Sequence, residues 1–336
     1  MTAQRIPRTA EPRSVRSHAA QGTVALSPLL LLLALGGGTP RLEAQRLLLP
    51  EARLTTCVVL EQPAKLAFDP AGNLYVGHDD NLAPQFVRKI EARTRTSSPL
   101  GVAPLRDPDA VAFDAAGTAS GRSGSVLVGA ADELWAIHPD NAMTRLAGAE
   151  AGLENVQALA FDRQGRLLVG SSEAAGAGGH VFRWEGGVPQ PLFSLYRPDA
   201  IAVHPNSGDI FVGSAGGGVT RYAEDGRWLA ELAAAPGYTS GLAFDRAGRL
   251  FAVGHSDDQL YELALDGSSL TVIGEGFASG DFIGHNRLTF GPDNALYLSQ
   301  PAGGKIWRIV IPEPAAMLPV ASALLVVAGW RRRRRA

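Results

Sequence analysis

The chain is poor in the residues that would tie it together covalently. Cys57 is its single cysteine in 336 residues, which excludes a disulfide framework. Lysine is nearly as scarce, with Lys65, Lys89 and Lys305 the only three; without a basic stripe, nucleic acid and anionic lipid are excluded as partners of the domain. Helical periodicity is almost missing, so a bundle or a doubly wound α/β fold is excluded. There is no Gly-x-Ser-x-Gly stretch, the strand-turn-helix context a serine nucleophile of that type needs. Long apolar runs are lacking too: the longest near either end, residues 315–330, has sixteen positions.

What is present is repetition. Leu66-Ala67-Phe68-Asp69-Pro70-Ala71-Gly72-Asn73-Leu74-Tyr75-Val76-Gly77 returns five more times in altered form, with anchors at Phe68, Phe113, Phe161, Val203, Phe244 and Phe290 spaced 41 to 48 residues apart. A period of that length marks a supersecondary unit stacked on its neighbours. Within each unit an apolar run, a turn that in four of the six is Asp-x-x-Gly, and a second apolar run read as a hairpin, the aspartate bonding turn N–H groups and the glycine taking positive φ. A third alternating run follows, such as Val87–Ile90 or Val219–Tyr222, and after another turn a fourth, such as Trp228–Leu232. Four strands per unit and six units make an all-β six-bladed propeller of four-stranded blades the economical architecture. The phenylalanines at the anchors are expected between blades.

The sixth unit has three strands before Pro312, whereas Leu54–Leu60 is an unassigned β-branched run. That run is expected to complete the last blade against Ile306–Ile309 and close the ring, because an open edge strand invites aggregation. The propeller then occupies residues 45–311, with 21 Lys+Arg against 30 Asp+Glu and a net charge of −9, where the whole chain stands at −2.

The two ends differ in kind. Residues 1–44 begin with Arg5, Arg8, Arg13 and Arg16, pass through an apolar core at Leu29–Leu35 and end in small residues at Ala44, the order of a secretory signal peptide. Residues 312–336 begin Pro312-Glu313-Pro314, continue with the apolar stretch and finish with Arg331, Arg332, Arg333, Arg334 and Arg335. Sixteen helical residues reach roughly 24 Å against a hydrocarbon core of ~30 Å, and snorkelling arginines help such a helix span with its charged end in the cytoplasm. This tripartite order resembles the PEP-CTERM sorting signal of Gram-negative bacteria. The resemblance implies an inner-membrane-anchored precursor, an exosortase-type enzyme cutting near Pro-Glu-Pro, and transfer to the cell surface or the extracellular polysaccharide matrix.

Candidate functional positions lie where turns open on one face of the ring. The turns entering the six inner strands carry Lys65, Asp109, Gln157, Asp199, Ser240 and Arg287, with Asn155, His285 and Asn286 nearby. Those leaving the second strands carry His78-Asp79-Asp80, Asp132-Glu133, Ser171-Ser172-Glu173 and His255-Ser256-Asp257-Asp258 among others. Oxygen ligands on such a rim suit a divalent cation, Ca²⁺ or Zn²⁺, provided they converge. Asp109 and Asp199 belong to blades two and four and meet only by leaning over the channel.

The Leu-Ala-Phe-Asp-x-x-Gly-x-Leu-x-Val-Gly core is similar to the NHL and gluconolactonase-like group of six-bladed propellers over residues 54–311. The gluconolactonase resemblance implies a divalent metal held at the channel mouth, for which Pro108-Asp109 and Pro198-Asp199 match the Pro-Asp before an inner strand, and Asp109, Asp199 and Asn286 are the ligand candidates. Glu-Gly-Pro at the first blade and Asn-Gly before an inner strand do not occur. NHL members more often bind partners. The leading expectation is therefore an exported, surface- or matrix-associated propeller acting as a ligand-binding or structural module, with polysaccharide or a small molecule as the candidate ligand, and the alternative is a metal-dependent lactone hydrolase.

Overall fold

A computed structural model of the protein describes residues 45–78, 84–173, 178–232, 235–254, 257–277 and 287–313. The expected signal peptide, Pro314, the apolar stretch and Arg331–Arg335 lie outside these residues, as do Asp79, Asp80, His255, Ser256, His285 and Asn286. Among the described residues no helix is long and apolar enough to cross a membrane.

The strands form six antiparallel sheets. Blade 1 runs outward through Pro63–Phe68, Leu74–His78, Gln85–Ile90 and Ser97–Leu105. Blades 2 to 5 repeat the order, with innermost strands Ala110–Asp114, Val156–Phe161, Pro198–Val203 and Thr239–Phe244. Blade 6 has Arg287–Phe290, Leu296–Gln300 and Lys305–Val310, completed by Arg53–Val59 from the start of the chain. Leu54 pairs with Ile309 and Val58 with Ile306, the expected closure. Each innermost strand contacts the next, and the sixth returns to the first. The chain is an all-β six-bladed propeller of four-stranded blades.

One element goes beyond the pattern. Arg46–Leu47 adds a fifth strand to blade 5, paired with Leu270–Glu275, with Leu48 N–H donating to Ile273 O at 2.9 Å. Two residues are too few to show alternation, yet Leu47 and Leu49 pack on the apolar cluster between blades 5 and 6 and so cover the outer edge.

The seams are filled as the repeat implies. Each inner-strand anchor packs on the second strand of the preceding blade: Phe68 on Tyr297 at 4.7 Å between ring centroids, Phe113 on Tyr75 at 5.7 Å, Phe244 on Phe211 at 5.2 Å and Phe290 on Phe251 at 5.4 Å. Such ring pairs contribute ~0.5–1.5 kcal/mol each beyond the area they bury. In the other two seams the partner is aliphatic, Leu127 with Phe161 and Leu168 with Val203. The hairpin aspartates do what the turn needs: Asp162 Oδ1 accepts from Arg166 N–H at 2.9 Å and Asp245 Oδ1 from Arg249 N–H at 2.8 Å. Cys57 lies at a bulge of the closing strand and is half-buried.

Candidate functional site

The six innermost strands enclose a channel of about 380 Å³. They begin at one face of the ring and end at the other, where the Asp-x-x-Gly turns lie. At the starting face, one residue from every blade enters a single hydrogen-bonded plate. These are the six entering positions, Lys65, Asp109, Gln157, Asp199, Ser240 and Arg287.

Local backbone geometry aims them. In blades 3, 4 and 5 the pairing register slips between Val156 and Ala158, Pro198 and Ala200, and Thr239 and Gly241, leaving Gln157, Asp199 and Ser240 as the extra residues. The slip in blade 1 spans Pro63 to Leu66 and includes Lys65. A bulge of this kind re-aims a side chain out of the pleat. Three entries are also strained: Gln62, Asp107 and Arg197 hold φ of 40°, 50° and 39° immediately before Pro63, Pro108 and Pro198. Residues before proline favour extended backbone, and a non-glycine residue at positive φ costs ~1–3 kcal/mol. The blade 2 turn closes on itself, with Asp109 N–H donating to Asp107 O at 2.9 Å, and the neighbouring strand of blade 1 holds it, with His78 N–H donating to Pro108 O at 3.0 Å.

Arg287, 1% exposed, is the centre of the plate. Its Nη1 donates to Asp199 Oδ2 at 3.0 Å and to Ser240 O at 3.1 Å; its Nη2 donates to Asp109 Oδ2 at 3.2 Å and Asp199 Oδ1 at 3.4 Å. The Gln157 amide, turned so that its nitrogen faces the carboxylates, donates to Asp109 Oδ2 at 3.2 Å and Asp199 Oδ1 at 3.0 Å and accepts from Asn155 Nδ2 at 3.1 Å. Lys65 reaches across from blade 1 to the Asp199 carbonyl and, at 3.4 Å, to Ser240 O. Tyr238 hydrogen-bonds Asp199; burial first, then the charge of Asp199, pushes its hydroxyl well above the usual phenol range, with Arg287 and Arg197 acting in the opposite sense.

Asp109 and Asp199 are each 3% exposed. Two buried anions are tolerated only with close compensation, which the guanidinium and the ammonium supply. Asp109 Oδ1 is buried and has no hydrogen-bond partner among the described residues.

The sequence-level metal candidates divide accordingly. Asp109 and Asp199 are brought together; Asn286 lies outside the described residues. The oxygens that face the centre are already taken by N–H groups of Arg287, Gln157 and Lys65, so the donors as they stand do not fit a divalent cation. Among the described residues no group of three His, Cys, Asp or Glu side chains is placed to hold one. Of the leaving turns, Asp257 serves its own blade by accepting from the Tyr261 hydroxyl. Arg287 was legible as one of six entering residues but not as the hub. The available signal was its charge, a cation at the repeat position where two other blades carry aspartate.

No protein-family model matches the sequence, and no curated protein sequence does. Solved structures do. A gluconolactonase of Xanthomonas campestris superposes with a TM-score of 0.62 at 20% identity over 79% of this chain and 91% of that one. The chain resembles the gluconolactonase-like six-bladed propellers. A calcium-binding protein, regucalcin, of Agrobacterium tumefaciens gives a TM-score of 0.57 at 15% identity over 76% of this chain and 92% of that one. A glucose dehydrogenase gives 0.58 at 20% identity over 77% of this chain and all of that one. At these identities the likeness is one of fold, and its members differ in chemistry, so function has to be argued from the plate.

Proposed function

We propose that the propeller takes a small sugar-derived molecule at the mouth of its channel, over the plate, and that hydrolysis of a sugar-type lactone is its reaction. The observation that carries this reading is the convergence of polar groups from all six blades, five side chains and the Ser240 carbonyl, on a single point. Structural economy alone would fill that point with apolar side chains, since a buried charged cluster stabilises a fold little or not at all. The gluconolactonase and glucose dehydrogenase among the structural relatives support a sugar-derived ligand.

The chain's own residues set the terms of the chemistry. Arg287 pairs with both Asp109 and Asp199, and Oδ1 of Asp109, itself buried, is the carboxylate oxygen with capacity left to accept a proton once water or the ligand enters beside it. Water attacks the lactone carbonyl while Asp109 takes its proton; the ring acyl C–O bond breaks, and the proton passes to the departing ring oxygen to give the hydroxy acid. No step is assigned to a metal ion, because the oxygens that would bind it are engaged. The test is a pH-stat assay of gluconolactone hydrolysis by the purified chain and by Asp109→Asn. Turnover above the spontaneous rate that falls about 100-fold or more in the variant supports the reading; equal rates reject it.

A second proposal concerns destination. Pro312 O accepts from Arg249 at 3.4 Å and Glu313 Oε1 from Asn294 at 2.9 Å, so the chain leaves from the turns on the face opposite the plate. A protein held through residues 312–336 by a PEP-CTERM-type signal would thus present the plate away from its anchor, toward the polysaccharide matrix. Mass spectrometry of the exported protein tests this: a new terminus near Pro314, lost in cells without the exosortase-type enzyme, is expected.

A further inference from the structure

We propose that Arg287 is the resident cation of this site, occupying by covalent attachment the position a divalent ion would take, so that the plate becomes a cation site only when that side chain is removed.

The guanidinium donates to four oxygens. Asp109 Oδ2, both carboxylate oxygens of Asp199 and the Ser240 carbonyl face it. The Asp199 carbonyl lies alongside under Lys65. Two carboxylates with backbone carbonyls are the donor set a hard cation such as Ca²⁺ selects. Here the same atoms receive N–H groups: one guanidinium pairs with both carboxylates, and the Lys65 ammonium lies on the Asp199 and Ser240 carbonyls. A divalent ion entering this cluster would have to displace a guanidinium that is 1% exposed and would lie beside the Lys65 ammonium. Ion and side chain are therefore mutually exclusive occupants of one position. The planar fork also does something an ion does less well. It grips Asp199 through both Nη1 and Nη2 and Asp109 through Nη2, while Oδ1 of Asp109 has no hydrogen-bond partner among the described residues.

The inference concerns the occupant of the plate and not its ligand, so absence of lactone turnover leaves it standing. Its test reads cation binding directly. Ca²⁺ titration of the purified wild-type chain by calorimetry, Tb³⁺ luminescence, and thermal melts with Ca²⁺ or a chelator are compared with the same measurements on Arg287→Ala and Arg287→Gln. Wild type is expected to be indifferent to both Ca²⁺ and chelator. Each variant is expected to melt lower without Ca²⁺, to recover with it, and to bind one ion about 10-fold or more tighter than wild type, an affinity abolished by adding Asp199→Asn. A stoichiometric ion in wild type that Asp109→Asn or Asp199→Asn removes would overturn the proposal. So would folded variants with no gain in affinity, or variants that fail to fold even with Ca²⁺ present, since the ion should restore the lost charge.

Discussion

Gly77, at the end of the second strand of blade 1, faces the main-chain carbonyl of Asp109 in blade 2 so closely that a Cβ on it would sit 2.4 Å from that oxygen. The terminal glycine of the repeat lies within a strand, and its purpose is this approach. It lets neighbouring blades approach backbone to backbone at the level of the plate. Gly213 in blade 4 has the same relation to Thr239 O in blade 5, at 2.7 Å.

Replacing Gly77 by alanine should accordingly destabilise the fold by about 2 kcal/mol or more, because the obstacle is main chain and cannot rotate away. Gly237, where an added Cβ meets nothing within 4 Å, is the control. Its alanine variant should stay within about 0.5 kcal/mol of wild type in urea unfolding.

Removing one charge from the plate leaves its partner buried and uncompensated. Asp199→Asn, which weakens two guanidinium contacts, should cost about 3–5 kcal/mol. Asp109→Asn loses one such contact and should cost less. Equilibrium denaturation of both variants checks the order.

Deleting residues 45–60 takes away the closing strand and exposes the edge of Lys305–Val310 along its length. Aggregation on heating and loss of a single cooperative transition are expected, measured by scanning calorimetry and light scattering.

Hydrogen bonds from Arg145 hold Glu150 down to about 2, below the ordinary 4.5. A carboxyl lowered on folding stabilises the protein above its unfolded value and loses that contribution as pH falls from about 4.5 toward 2. The pair is exposed to solvent, so its effect is on titration more than on stability. Arg145→Ala should return the Glu150 carboxyl resonance to an ordinary glutamate titration in carbon-detected NMR.

Burial raises the Cys57 thiol, against a lowering influence from Arg95 and Arg308. At pH 8 it should react with a disulfide reagent about 10-fold more slowly than the unfolded chain, and Arg95→Ala should slow it further.

The number of blades, their order and the closing strand were legible in the linear pattern, because apolar alternation in all six repeats and the Asp-x-x-Gly turn in four of them are local devices that act the same way wherever they occur. The set of entering residues was legible too, since the period puts Lys65, Asp109, Gln157, Asp199, Ser240 and Arg287 at equivalent places. The two-residue strand Arg46–Leu47 was not, being too short to carry a pattern.

Which of those equivalent residues touch was decided only when the ring closed. Asp109 and Arg287 are 178 positions apart, and nothing near either announces the other. Contact between them depends on the bulges that aim neighbouring side chains inward, on strained turns before proline, and on the length of a guanidinium arm reaching over the channel. Repetition is written along the chain, whereas the pairing of opposite charges across a ring is a property of its diameter.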